Sequence, residues 1–174
     1  MNNILLKNGL IAGILAIIIS IIVWMIDPTF YLKSGPYFRL VVIVFFMYKT
    51  AKEIRDLNGG FINLADLFKA TIITAIVATI LILVFNYIHY NFIDTNLVEI
   101  QKQIALESIS KMTEAFGNED MVEEIADKID EQDFSMTFGK LLQGWAINLI
   151  FWAIVSLIIS AVMKKKDNSQ NEFA

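Results

Sequence analysis

An all-α, polytopic membrane fold with four transmembrane helices is the architecture this chain predicts, on three observations. Leu10 to Ile26, Ala70 to Tyr90 and Leu141 to Met163 are apolar runs of 17, 21 and 23 residues without a charged side chain. At about 1.5 Å per residue each can cross a hydrocarbon core of about 30 Å with room for tilt. The 174 residues are 56% hydrophobic with a mean hydropathy of +0.59, above the roughly 45–50% apolar content of soluble domains. Lysine and arginine also gather at the run ends that four crossings bring to one side: Lys7, then Lys49, Lys52, Arg55 and Lys69, then Lys164-Lys165-Lys166.

The first span is expected over about 4–26. Lys7 before an apolar run could begin a secretory signal, but this run exceeds the roughly 7–15 residues of a signal's apolar core, and Trp24-Met25-Ile26-Asp27-Pro28 offers no small-x-small cleavage site. It is expected to remain as an uncleaved helix that Asp27-Pro28 closes. The second span, about 36–51, is the shortest. It carries Arg39 near its start and reaches membrane length only if Lys49 snorkels, with Gly35-Pro36 read as a turn and a proline in the first helical turn. Asn58-Gly59-Gly60 is expected to end that helix and Asn63 to cap the third, over about 66–90. The fourth span covers about 138–163, followed by a tail over 164–174.

Retention of basic residues on the cytoplasmic side places both termini and the connection between helices two and three there. The segment Asn91–Thr137 then faces outward. It holds twelve carboxylates against Lys102, Lys111 and Lys128, a net charge of −9 that leaves +5 for the rest of the chain. Two amphipathic stretches fill it. Leu97, Ile100, Ile104, Ile109, Met112 and Phe116 follow helical spacing up to Gly117-Asn118, and Met121, Val122, Ile125 and Ile129 line one side of a second helix. Ile125 and Ile129 are the candidate partner face. Trp24, Tyr31, Tyr37, Tyr87, Tyr90 and Trp145 resemble an outer aromatic belt, while Trp152, near mid-span, is expected to pack between helices.

Small residues recur at helical spacing on helix one (Gly9, Gly13, Ala16, Ser20) and on helices three and four. Packing within the chain is the preferred reading, with oligomerisation through Gly9 and Gly13 the alternative. Polar residues that fall in the outer half of the spans are Asp27, Arg39, Asn86, His89, Gln143 and Asn148, and all but Gln143 form the candidate polar cluster. An ion pair between Asp27 and Arg39, and a bond between Asn86 and Asn148, would make them interhelical glue; a vestibule for a substrate or ion is the sharper reading. No carboxylate lies at a span midplane, which weighs against a proton-coupled carrier.

The absence of cysteine excludes disulfides, thiolate metal sites and thiol nucleophiles. No His-Glu-x-x-His, Gly-x-Ser-x-Gly or phosphate-binding glycine loop is present. His89, the one histidine, is expected as an interfacial anchor rather than a general base. The carboxylates of the insert follow neither a calcium-loop pattern nor a Glu-x-x-His pair, so they read as a solvated face. These features predict no catalytic residues, no cofactor and no metal, the lipid bilayer as surroundings, and no nucleic-acid partner, since the basic residues act as topology markers.

The run from Ala51-Lys52-Glu53-Ile54-Arg55-Asp56-Leu57-Asn58-Gly59-Gly60 to Phe61-Ile62-Asn63-Leu64-Ala65-Asp66-Leu67-Phe68-Lys69, with Tyr90-Asn91-Phe92-Ile93-Asp94 and the terminal lysines, resembles the bacterial membrane-protein family known as domain of unknown function 4199. The resemblance covers nearly the whole chain. Thr95 stands where members often carry a proline. What it implies is a four-helix integral protein of the cytoplasmic membrane of gram-negative bacteria, with no activity to carry over. The expectation is therefore an accessory or interaction component of the envelope, with a small transporter or channel second and an intramembrane enzyme third.

Overall fold

The computed structural model describes residues 2–116, Ile125 and 133–164. Their regular structure is helical, without strands: α1 (Asn2–Ile26), α2 (Pro28–Leu57), α3 (Leu64–Ile88), a single π-helical turn (His89–Ile93), α4 (Leu97–Phe116) and α5 (Phe138–Met163). Four of these segments, α1, α2, α3 with its π turn, and α5, are long and apolar enough to cross a membrane, consistent with a membrane protein. Alternating connections put Lys49, Lys52, Arg55 and Lys164 at one end of the bundle, the basic end, and α4 at the other, the insert end. Ile125 is helical and half-buried. Ile129, the rest of the second amphipathic stretch and the tail beyond Lys164 lie outside the described residues.

Element boundaries follow local chemistry. Asp27 is extended (φ −158°), and its Oδ1 accepts from the amides of Thr29 at 2.6 Å and Phe30 at 3.1 Å, with Pro28 at the first helical position. Helix α2 therefore starts at Pro28, eight residues before the start expected from Gly35-Pro36, and Pro36 lies inside it. The expected turn there does not form. The missing proline amide leaves the Leu32 carbonyl without its i+4 donor, which a helix of this kind tolerates; separately, the Arg39 side chain donates to the Gly35 carbonyl at 3.4 Å. At its far end α2 closes on Asn58, followed by Gly59 and Gly60 at φ +66° and +88°, a left-handed backbone that glycine adopts without steric cost. Asn63 Oδ1 accepts from the Asp66 amide at 2.9 Å and caps α3.

Helix α3 is the centre of the bundle, packing against α1, α2 and α5, whereas α5 meets α2 only lightly. Its closest neighbour is α1. A Cβ built on Gly9 would lie 2.7 Å from Val77 Cβ and 2.9 Å from the Thr74 carbonyl, and one on Gly13 would lie 2.7 Å from a Leu81 methyl. The small-residue stripe is thus occupied within the chain. Ala12, Ala16, Ile43, Met47, Ala75, Ala78 and Trp152 form the mid-bundle core, and Leu5, Ala51, Ile54, Leu67, Ala70 and Met163 a second cluster at the basic end.

Polar bonds stitch these layers. Asn8, 1% exposed, donates to Thr50 Oγ1 at 3.1 Å and Glu53 Oε2 at 2.8 Å, and Thr74 donates to Thr50 at 3.2 Å. On the other side of α3, Thr71 bonds Ser156 while the Ser156 hydroxyl donates to the Phe68 carbonyl at 3.1 Å. Each of these side chains, Asn8, Thr50, Thr71, Thr74 and Ser156, has a partner, the condition under which buried polar atoms do not destabilise.

At the insert end, Leu97 is fully buried with Val23 and Tyr31. Asp94 organises the turn before α4 without a proline: its Oδ1 accepts from the Asn96 amide at 3.2 Å and its Oδ2 from Trp24 Nε1 at 2.8 Å. Farther along, Lys33 of α2 donates to Glu107 at 2.9 Å, and Lys111 to the same carboxylate at 2.6 Å. Those two ammonium groups hold the Glu107 carboxyl down at about 2. The start of α5 is tied similarly, by Lys140 on Asp133 at 2.7 Å, whose hydrogen bond depresses the Asp133 carboxyl.

Candidate functional site

Tyr31, Gly35 and Arg39 recur every four residues and so share one face of α2. Gly35 leaves room for the Tyr31 ring, which would sit 3.2 Å from a Cβ there. The ring lies beneath Arg39, whose guanidinium carbon is 5.7 Å from its centroid, within cation–π range. Arg39 Nη1 donates to Asn86 Oδ1 of α3 at 3.2 Å. No carboxylate of a described residue lies within ion-pair distance of Arg39. Two of its five N–H groups are engaged, by Gly35 and Asn86, and the side chain lines a cavity.

Next to Tyr31 lies His89, 1% exposed, inside an aromatic cage. Its centroid is 4.9 Å from Trp24 at an interplanar angle of 88°, 5.0 Å from Phe85, 5.3 Å from Tyr31 and 6.3 Å from Tyr90. Neither ring nitrogen has a hydrogen-bond partner. Leaving such groups unpaired costs on the order of 1–3 kcal/mol, partly offset when an N–H meets a π face. The interfacial anchor expected of His89 is thus replaced by a buried ring, because the π turn, closed by the Asp94 amide on the His89 carbonyl at 2.9 Å, holds it against Trp24 of α1 and Tyr31 of α2.

Two cavities flank Arg39. One, of about 460 Å³, opens between α2, α3 and α5 and is lined by Arg39, Leu40, Ile43, Ile82, Asn148 and Trp152 among others. The other, of about 390 Å³, lies under α4 beside Tyr90, Gln101 and Ile104. Trp152 is 4% exposed, yet its indole N–H has no acceptor, and Gln101 Oε1 is likewise buried without a donor. Thr79, which also lines the first cavity, is satisfied: it donates to the Ala75 carbonyl at 2.8 Å and accepts from Trp145 at 3.0 Å.

Of the five polar residues singled out in the sequence, the fold joins Arg39 to Asn86, sets His89 behind Tyr31, and puts Asn148 across the first cavity from Arg39. Asp27 stands apart. Its carboxylate is consumed by the α2 cap, so the expected ion pair with Arg39 is absent; likewise Asn86 bonds Arg39 rather than Asn148, which is exposed and makes no side-chain hydrogen bond to a described residue. Sequence reasoning missed the Tyr31 platform, although the i, i+4, i+8 spacing carries it, and the unpaired Trp152 N–H, for which no local pattern exists. Among the described residues no three histidine or carboxylate side chains converge as metal ligands.

Residues 7–165 match the model of a family described as "Protein of unknown function (DUF4199)". Neither curated proteins nor solved structures give a match.

Proposed function

Because the chain belongs to the DUF4199 family, whose description assigns no activity, we propose from its own geometry that it is an accessory or interaction component of the bacterial cytoplasmic membrane, binding a partner through its acidic insert. The observation that carries this reading is the fixed seat of α4. A buried Leu97, the Trp24–Asp94 bond and the Lys33–Glu107 pair hold the insert's first helix against α1 and α2. Carboxylates presented from a fixed helix form a patterned surface that selects a complementary basic partner and speeds encounter. A tether would not.

In this reading the basic end is cytoplasmic and residues 91–137 are extracytoplasmic, as retention of lysine and arginine requires. A chain without cysteine accepts single reporters cleanly. Impermeant maleimide applied to intact cells should label a cysteine at Glu124 and spare one at Lys166; the reverse overturns the topology. Photo-crosslinking from Ile125 and Ile129 in native membranes, with reciprocal purification of the captured species, tests the partner. Loss of that partner on replacing both isoleucines by serine supports the reading. Self-adducts alone, from a probe of proven reactivity, refute it.

The cavity beside Arg39 favours a second reading, a small transporter or channel, because a cation facing a cavity can receive an anionic solute. Unchanged solute flux in a folded Arg39→Gln variant counts against it.

A further inference from the structure

We infer that the cavity between α2, α3 and α5 is a binding site for the phosphate headgroup of an anionic phospholipid from the membrane leaflet at the insert end.

Two side chains at this cavity can donate to a bound group, Arg39 and Asn148, and the Trp152 ring packs beside them. Arg39 keeps free guanidinium N–H groups and has no carboxylate in range among the described residues. Asn148 is an exposed amide in an apolar helix, without a hydrogen bond to any described residue. Unmet donors in an apolar setting are costly. A guanidinium with no carboxylate in range and an unbonded amide lining one cavity point to an acceptor-rich anion as the missing component.

The remaining wall identifies its other half. Leu40, Ile43, Ile82 and Phe151 are apolar and suit hydrocarbon rather than a hydrated solute. Depth agrees with an amphiphile. Arg39 lies six residues, about 9 Å, along α2 from the exposed Lys33, a distance its long side chain shortens by snorkelling toward the headgroup level. Trp152 sits one turn deeper than Asn148 on α5, where an acyl ester carbonyl would follow a phosphate held by Arg39 and Asn148. A volume of about 460 Å³ accommodates a headgroup and glycerol, not whole chains. The acyl chains leave between α2 and α5, where contact is light and the rim residues Tyr37 and Phe151 are exposed.

Native mass spectrometry of the full chain in detergent, titrated with phosphatidylglycerol, with phosphatidylcholine of the same chains and with inorganic phosphate, tests the assignment. The expected result is retention of phosphatidylglycerol over phosphatidylcholine by about tenfold, the scale of one charge-assisted hydrogen bond. Arg39→Gln should abolish the preference and Arg39→Lys keep most of it, while Arg55→Gln, at the opposite end, leaves it unchanged. Asn148 is exposed and unbonded, so Asn148→Leu folds and serves if Arg39→Gln does not; it should lower the preference several-fold. Equal retention of both lipids, a preference that survives both Arg39→Gln and Asn148→Leu, or displacement of phosphatidylglycerol by inorganic phosphate overturns the proposal, the last by making the free ion the ligand.

Discussion

Adding one methyl group at Gly9 should force α1 and α3 apart. The new Cβ would stand 2.7 Å from Val77 Cβ and 2.9 Å from the Thr74 carbonyl, and the second of these is backbone and cannot swing aside. Overpacking of this kind costs about 1–3 kcal/mol. Exchanging glycine for alanine in a helix returns about 1 kcal/mol, so Gly9→Ala should lose up to about 2 kcal/mol net, a factor of up to about 30 in the folded-to-unfolded ratio. Gly144 on α5 supplies the control, because a Cβ there meets nothing within 4 Å. The same substitution at Gly144 should be neutral or stabilise by up to about 1 kcal/mol. Reversible unfolding in graded SDS mixed micelles, followed by helical circular dichroism, reads both variants against the parent. If Gly9→Ala is more stable than the parent and gains as much as Gly144→Ala, α1 and α3 do not meet at this spacing, and the close-packing argument fails.

Other perturbations address the remaining joints. Asp27→Ala removes the two amide bonds that start α2 and should cost about 0.5–2 kcal/mol; the same unfolding assay reads it, and Asp27→Asn should recover most of the loss. Asn8→Ala leaves Thr50 and Glu53 without their common donor and should cost about 0.6–1.7 kcal/mol, the range of interhelical bonds in membrane proteins; unchanged unfolding would remove Asn8 from the list of structural bonds. The depressed carboxyl of Glu107 makes α4 docking pH-dependent. Its ordinary value is 4.5 and its folded value about 2, so the contribution is complete above about 4.5 and lost as the pH falls toward 2. Hydrogen exchange of the α4 amides should accelerate across that window in the parent and show a smaller change in Lys33→Ala; high salt should blunt the effect, since the pair is exposed.

The four long apolar helices and most of their ends were legible because they depend on local chemistry. Asp27-Pro28, Asn58-Gly59-Gly60 and Asn63 act through their own caps and backbone angles, and the chain supplies them in order. Pro36 was misread for the opposite reason. A proline after glycine starts a helix or lies within one according to what the preceding residues do, and here the Asp27 cap had already begun α2. Arg39, Asn86, His89 and Asn148 were found as polar residues in apolar spans, but their pairing depends on the rotation of each helix about its axis. Hydrophobic periodicity fixes that rotation poorly when every face is apolar. His89 shows it most clearly: the residue type suggested a membrane interface, and only the π turn and the Trp24, Tyr31 and Phe85 rings reveal a buried cage.

The central position of α3 also has a bearing on biogenesis. Helices α1, α2 and α3 share their main contacts with one another, while α5 attaches chiefly to α3 through the hydroxyls of Thr71 and Ser156. The segment Asn91–Thr137 separates the two events on the ribosome, and at about 5–20 residues per second its synthesis takes roughly 2–10 s. A three-helix unit has that interval in which to close before its fourth member emerges. The late helix then finds a finished groove along α3, so its side of the bundle is the one from which a lipid or an assembly factor could be enclosed as the protein is made.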